Sequence, residues 1–421
     1  MRARRWARRW GWSAVLLATA CVAHRGPWHG ETPGSEAAAT TRPEVELLLL
    51  ANTSPADRGA AAVVARVQQE LTDERPRVVL WLGNVAAAPL RSSTPRAVAR
   101  GPRCLPVDEA WSSGAGARLG EATRGLAASG RSFATMGVLD HRCDHRAELE
   151  EPGQPWSIPG EQYVLRIHGD GSTRVRSSCR NGLCTTDATS EPPASPPLAD
   201  LVVVDLSPWL YPREDPEGRR RDELRVQSLE ALLDELAQTP PEAGPPRLLV
   251  SSVPVEAAGE HGLGALWPDA TFHTLPAPLQ ARLVEGAFAG VLSAHDRSMA
   301  LVGDLFDPIK RADRAWLQRP VFQLQAGAVS RPNRRAAMAL RRRRLRESEA
   351  YRARVLSDHA GFAVVRLRPD DATLELHALR HRRWQTTSLT VPLHPPPHPI
   401  RTPSPHMGPC RDCPPIPASE R

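Results

Sequence analysis

Hydrophobic residues along this chain fall in short, dense runs separated by longer amphipathic stretches. Glu46-Leu47-Leu48-Leu49-Leu50 is followed by helical spacing from Ala60 to Leu71 and then by Val78-Val79-Leu80-Trp81-Leu82. The pattern returns as Leu201 to Leu206, an amphipathic stretch around Leu224 to Leu236, then Leu248-Leu249-Val250. A further helix near Pro278 to Ala287 and the run Gly290-Val291-Leu292 complete it. Runs this short, apolar at consecutive positions, predict strands buried on both faces, and their alternation with helices predicts an α/β domain. Two later segments, from Gly361 to Arg368 and from Thr373 to Leu379, alternate instead about Pro369-Asp370-Asp371. They predict an antiparallel hairpin. Parallel-type units first and antiparallel strands last imply a layered sandwich.

The ends of the chain read differently. Arg2, Arg4, Arg5, Arg8 and Arg9 precede a short apolar stretch, Trp12 to Ala20, which closes on Ala18-Thr19-Ala20-Cys21. A positive flank, a short apolar segment and small residues at a cleavage point predict export. The stretch is far below the roughly 20 residues a spanning helix needs. Leu-Ala-Thr-Ala-Cys21 resembles a lipobox, which implies cleavage before Cys21, lipid on its thiol and a membrane as partner. The alternative is an ordinary secretory signal with an incidental cysteine. The expected layout is a lipoprotein signal peptide over 1–20, a flexible tether over 21–43 and a folded domain over 44–390. A Pro/Ser-rich loop interrupts the domain over 185–197, and a Pro-rich tail that cannot pack occupies 391–421.

Export changes how charge and cysteines are read. The formal charge of +7 suggests acidic partners, but residues 1–20 hold five arginines and no acid, so their removal leaves +2. Lys310 is the only lysine, and neither nucleic acid nor an acidic surface is called for by the overall balance. Besides Cys21 there are six cysteines, an even number that suits disulfides in an oxidising compartment. Cys179 and Cys184 flank Asn181-Gly182, a strong hairpin turn signal that sets them across from each other as a disulfide. Cys104 with Cys143 is left by elimination. Cys410 and Cys413 allow a redox pair or half a zinc site, but their Pro-rich context favours a plain disulfide or free thiols.

Several motifs together resemble those of the calcineurin-like metallophosphoesterases, in particular the purple-acid-phosphatase-like branch. Val250 to Gly262, with Pro254, Gly259, His261 and Gly262, is similar to that family's VGHHPVYSxGxHG segment. Leu292 to Leu301 is similar to LSGHDHxLxL, and Phe322 to Ser330 to the strand entering a GAGS turn. The resemblance covers roughly residues 45 to 380. It implies a four-layer α/β/β/α sandwich with a two-metal site on loops at the strand ends. Two metals clamp a phosphate and activate a bridging water, and carboxylates and imidazoles must hold them.

Carried over position by position, the motifs are degenerate. Asn52 stands where the first metal-binding Asp falls and Asn84 where the bridging Asp falls. Val138 and Leu139 occupy the ligand Asn and His positions of the GNH(D/E) motif, ahead of Asp140. Ser252 replaces the His of the GHHP-like segment, and Arg297 replaces the last His of GHxH, leaving His295 as the one competent ligand retained. The resemblance therefore implies no metal and no catalytic residue, in a domain that serves as a binding or scaffold module for an unknown protein or anionic envelope ligand. Two alternatives stand beside it. One is an active metal-dependent phosphoric ester hydrolase holding two divalent metals unconventionally. The other is an anion- or envelope-binding protein working through the arginine-rich stretch Arg331 to Arg354, whose plainer reading is a solvated surface helix. The dense group Asp140-His141-Arg142-Cys143-Asp144-His145 reads either as a remodelled pocket or as a polar loop tied by Cys104–Cys143.

Overall fold

The computed structural model describes residues 43–53, 60–70, 75–85, 104, 106–112, 117–121, 126, 131–151, 153–179, 182–185, 193–238, 244–254, 288–294, 299–302, 322–327, 329, 353–357, 359–380 and 383–394. The strands are β1 (Val45–Ala51), β2 (Arg77–Leu82), β3 (Ser132–Thr135), β4 (Gln162–His168), β5 (Thr173–Cys179), β6 (Gly182–Thr185), β7 (Pro197–Val204) and β8 (Arg247–Ser251). They continue as β9 (Gly290–Ser293), β10 (Met299–Val302), β11 (Phe322–Gln325), β12 (Ala353–Ser357), β13 (Gly361–Leu367), β14 (Asp371–Arg380) and β15 (Arg383–Pro392). Two mixed sheets result: a six-stranded one, β15-β14-β13-β1-β2-β3, and a nine-stranded one, β12-β10-β11-β9-β8-β7-β4-β5-β6.

The period-2 geometry of a strand explains the layering. In β1, Val45, Leu47, Leu49 and Ala51 enter a core shared with Leu201 and Val203 of β7 and Leu248 and Val250 of β8, on the other sheet. The intervening Leu48 and Leu50 face the opposite way, onto Val63, Val64 and Val67 of the helix Ala60–Glu70. In the second sheet Val202, Val204 and Leu249 turn outward onto Leu229, Leu232, Leu233 and Leu236 of the helix Pro216–Gln238. The consecutive apolar runs Leu47 to Leu50 of β1 and Leu201 to Val204 of β7 thus follow from burial on both faces. Helix, sheet, sheet and helix make the four-layer α/β/β/α sandwich.

Antiparallel strands are not confined to the end of the chain. β4, β5 and β6 form an antiparallel meander at one edge of the nine-stranded sheet, and β13 pairs antiparallel with β1. The β5–β6 register sets Cys179 opposite Gly182 and Cys184 opposite Ser177, shifted by one residue towards the N-terminus from a turn centred on Asn181-Gly182. The two cysteines are therefore diagonal rather than directly opposed, and their side chains lie outside the described residues. The disulfide among the described residues joins Cys104 to Cys143. The expected helix at 278–287, the tail from 395, His295, Arg297, Cys21, Cys410, Cys413 and the arginine-rich stretch 331–350 also lie outside them.

Glu46 is fully buried in β1 with Arg77 of β2 and Arg366 of β13 as its two cross-strand neighbours. Its carboxylate lies 2.7 Å from Arg77 Nη2 and 2.7 Å from Arg366 Nη1. A central strand of leucines thus carries one charge, neutralised from both sides near the end where the strand begins.

Candidate functional site

Parallel strands deliver the loops after their carboxyl ends to one edge of a sheet. β1, β2 and β3 are parallel, as are β7, β8 and β9. Asn52 follows β1, Gly83-Asn84 follows β2, Gly137 to Asp140 follows β3 and Ser252 follows β8. The chain turns sharply there. Asn52 and Asn84 both have φ of 50° and Gly83 has φ of 63°, the left-handed region that asparagine and glycine enter most readily.

Contact between the loops is tight. The Asn52 N–H donates to the Gly83 carbonyl at 3.3 Å. A Cβ on Gly83 would stand 2.9 Å from Ser252 Cβ, across the two sheets, and 3.1 Å from Gly137 Cα. A Cβ on Gly137 would lie 1.9 Å from Asn84 N and 2.5 Å from Asn84 Oδ1, so only glycine fits. Asn52, Asn84 and Ser252 are thereby gathered around Gly83, all of them buried.

A hydrogen-bond relay fixes the orientation of both amides. The Leu139 backbone N–H can only donate, and it donates to Asn84 Oδ1 at 2.9 Å. Asn84 must then turn its Nδ2 to Asn52, donating to Asn52 Oδ1 at 2.8 Å. Asn52 is left with Nδ2 buried and without a partner, and the Ser252 and Thr53 hydroxyls are likewise buried and unpartnered. The edge of the site is lined by donors and hydroxyls.

That donor set does not fit a pair of divalent cations. The two positions where the resemblance puts metal-holding carboxylates carry neutral amides whose oxygens are both engaged. Val138 is buried among Val204, Leu206 and Leu229 beneath the helix Pro216–Gln238. Ser252 supplies a hydroxyl where an imidazole would coordinate. Among the described residues no group of three or more His, Cys, Asp or Glu side chains could hold a metal ion. No reaction step is derived through one.

Asp140 lies under the relay rather than in the site. It is fully buried, and its Oδ2 accepts the Val85 N–H at 2.8 Å, tying the β2 loop to the turn after β3. His141 points away, towards the second helix layer. Arg225 Nη1 donates to its Nδ1 at 3.4 Å, so Nε2 carries the hydrogen and donates to the Tyr211 carbonyl at 3.0 Å. Burial pushes its pKa below the ordinary value of 6.5, although Asp205 and Asp222 pull it up; Arg213 adds to the depression. Asp144 is exposed and pairs with Arg213 at 2.5 Å. The expected polar loop is instead a short helix, Val138–Arg142, with the turn after it, tied down by these contacts and by the Cys104–Cys143 disulfide.

Sequence reasoning placed Asn52, Asn84, Val138, Leu139 and Ser252 at the strand ends, where the structure collects them. It missed the Leu139 backbone N–H, whose only sequence signal is the following short helix Val138–Arg142, and the orphaned Thr53 hydroxyl. Gly83 carried a readable signal, since a glycine followed by an asparagine marks a tight turn.

No family model and no curated protein sequence matches the chain. Solved structures similar to it include GAP50, the anchor in the inner membrane complex of Plasmodium, at 11% identity over 83% of this chain and 90% of that one, with a TM-score of 0.47. Purple acid phosphatase PPD1 from yellow lupin (Lupinus luteus) seeds aligns at 9% identity over 83% of this chain and 54% of that one, with a TM-score of 0.46. PhoD aligns at 12% identity over 86% of this chain and 71% of that one, with a TM-score of 0.47. These neighbours share the calcineurin-like metallophosphoesterase fold.

Proposed function

We propose that this chain is an exported protein, held to the cell envelope by lipid on Cys21, whose metallophosphoesterase-like domain binds without catalysing. The observation that carries the reading is the Asn84–Asn52 amide pair, locked by the Leu139 N–H where a metal clamp needs carboxylates. Two divalent cations require compensating negative charge from their ligands, and a buried amide supplies none. The positive signal segment and the short apolar stretch ending at Cys21 support export and anchoring.

The test is elemental analysis of the purified mature protein beside hydrolysis of a chromogenic phosphomonoester and phosphodiester, with manganese, iron or zinc supplied. The expected result is substoichiometric metal and turnover at background. Near two equivalents of metal per chain, with turnover abolished by His295→Ala, would overturn the reading and leave a phosphoesterase with an unconventional site.

A further inference from the structure

The relay decides more than the loss of a metal site; it sets the polarity of what replaces it. A backbone N–H cannot reverse its role, so the direction Leu139 N–H to Asn84 Oδ1, Asn84 Nδ2 to Asn52 Oδ1 is forced from its first member. The last member, Asn52 Nδ2, ends as a buried donor with no acceptor. Ser252, 2% exposed and also unpartnered, packs against the same glycine from the other sheet. The nearby carboxylate, Asp140, is drawn back under the loop by the Val85 N–H. A buried N–H and O–H left unpaired each carry a desolvation cost that an acceptor would relieve.

We infer that this strand-end site binds a small oxyanion, phosphate or carboxylate, directly on the Asn52 amide and the Ser252 hydroxyl, with no metal ion between protein and ligand. The inference rests on the non-catalytic reading and adds the ligand class to it. Lone pairs on one compact group complement the Asn52 N–H and the Ser252 hydroxyl, which both lie against Gly83, whereas a cation would meet the positive end of the Asn52 amide. Neutral donors alone give weak binding, in the millimolar range. Specificity then comes from polarity rather than charge.

Polarity can be inverted by one atom. In Asn84→Asp the Leu139 N–H still finds an oxygen, but the second carboxylate oxygen now accepts where Nδ2 donated. Asn52 must turn its amide to give Nδ2 to that oxygen, and Oδ1 then faces the site. Equilibrium dialysis of the full mature protein with radiolabelled phosphate, and separately with radiolabelled acetate, in excess EDTA, reads the consequence. The expected results are saturable metal-free binding of at least one of the two anions, about tenfold weaker in Asn84→Asp and several-fold weaker in Ser252→Ala. The phosphate and acetate arms distinguish the sources of the oxyanion. A parallel readout, independent of variant folding, is a ligand-dependent shift of the Asn52 side-chain amide resonance in the unaltered 15N-labelled protein. No saturable binding of either anion and no shift would overturn the inference while leaving the non-catalytic reading intact. Binding that appears only after manganese or zinc is added would overturn the inference, and turnover alongside it would overturn both. Binding unchanged in Asn84→Asp and Ser252→Ala alike would place the ligand elsewhere and refute the site.

Discussion

Replacing Glu46 by glutamine keeps the shape of the side chain and removes its charge from between two guanidinium groups. Arg77 approaches it through Nη2 at 2.7 Å and Nε at 3.0 Å, and Arg366 through Nη1 at 2.7 Å. Glu46 is fully buried and Arg77 is 9% exposed, so solvent does little to screen what is left. Arg366 keeps Glu375, whose Oε1 is 3.1 Å away, and so loses only part of its compensation. Removing one partner of a buried pair costs about 3–5 kcal/mol because the other charge stays buried. With Arg366 still partly neutralised the lower end, about 3 kcal/mol, is expected for Glu46→Gln. Urea unfolding of the mature protein measures it as a fall in midpoint with unchanged slope. Adding Arg77→Met to Glu46→Leu should recover part of the loss, since an apolar pair of similar volume needs no neutralising partner. A Glu46→Gln change below about 1 kcal/mol, the scale of an exposed ion pair, would refute the idea that this charge is held in a dry environment.

Other expectations follow from the same structure. His141 has a folded pKa depressed below 6.5, so the unfolded chain takes up the proton first; stability present above 6.5 is lost as pH falls from there towards the folded value. Acid titration of the melting temperature should show that loss, and His141→Gln should flatten it; an unchanged profile would mean the ring is not buried neutral. Glu375, held at about 2 chiefly by the His377 hydrogen bond, contributes stability above 4.5 that fades as pH falls towards about 2, and Glu375→Gln should remove that step. The Cys104–Cys143 bridge closes a separation of 39 residues, which loop-closure entropy values at about 4 kcal/mol, so Cys104→Ser with Cys143→Ser should lower the urea midpoint accordingly. Cys21→Ser should move the protein from the membrane to the soluble fraction; equal membrane association would place the anchor elsewhere.

The central strands were legible because burial on both faces leaves no choice of residue. Leu47 to Leu50 and Leu201 to Val204 read as strands before any partner is known. β15 was not legible: it is an edge strand, exposed along most of its length, and its Thr386-Thr387-Ser388 carries no apolar period. β4 hid for another reason, since Gln162, Arg166 and His168 break its apolar run while making contacts with residues far along the chain. At the site, the identities of Asn52, Asn84 and Ser252 were visible, but not the direction in which their amides point. That direction is dictated by a backbone group of Leu139, and a backbone N–H has no letter in a sequence. His141 shows the same limit, because its partners Tyr211 and Arg225 come to it through the packing of the second helix layer.

The antiparallel pairing of β1 with β13 also governs when this domain can fold. Val45 lies opposite Leu367, so the middle of the six-stranded sheet is closed by chain ends that are synthesised first and nearly last. Until β13 emerges, β1 has one open edge. Contacts of such long sequence separation make folding slow, because loop entropy is spent before any of them forms. A polypeptide whose first strand waits for its last third keeps that strand's edge open until the last third has been made, a property that would suit the export proposed above.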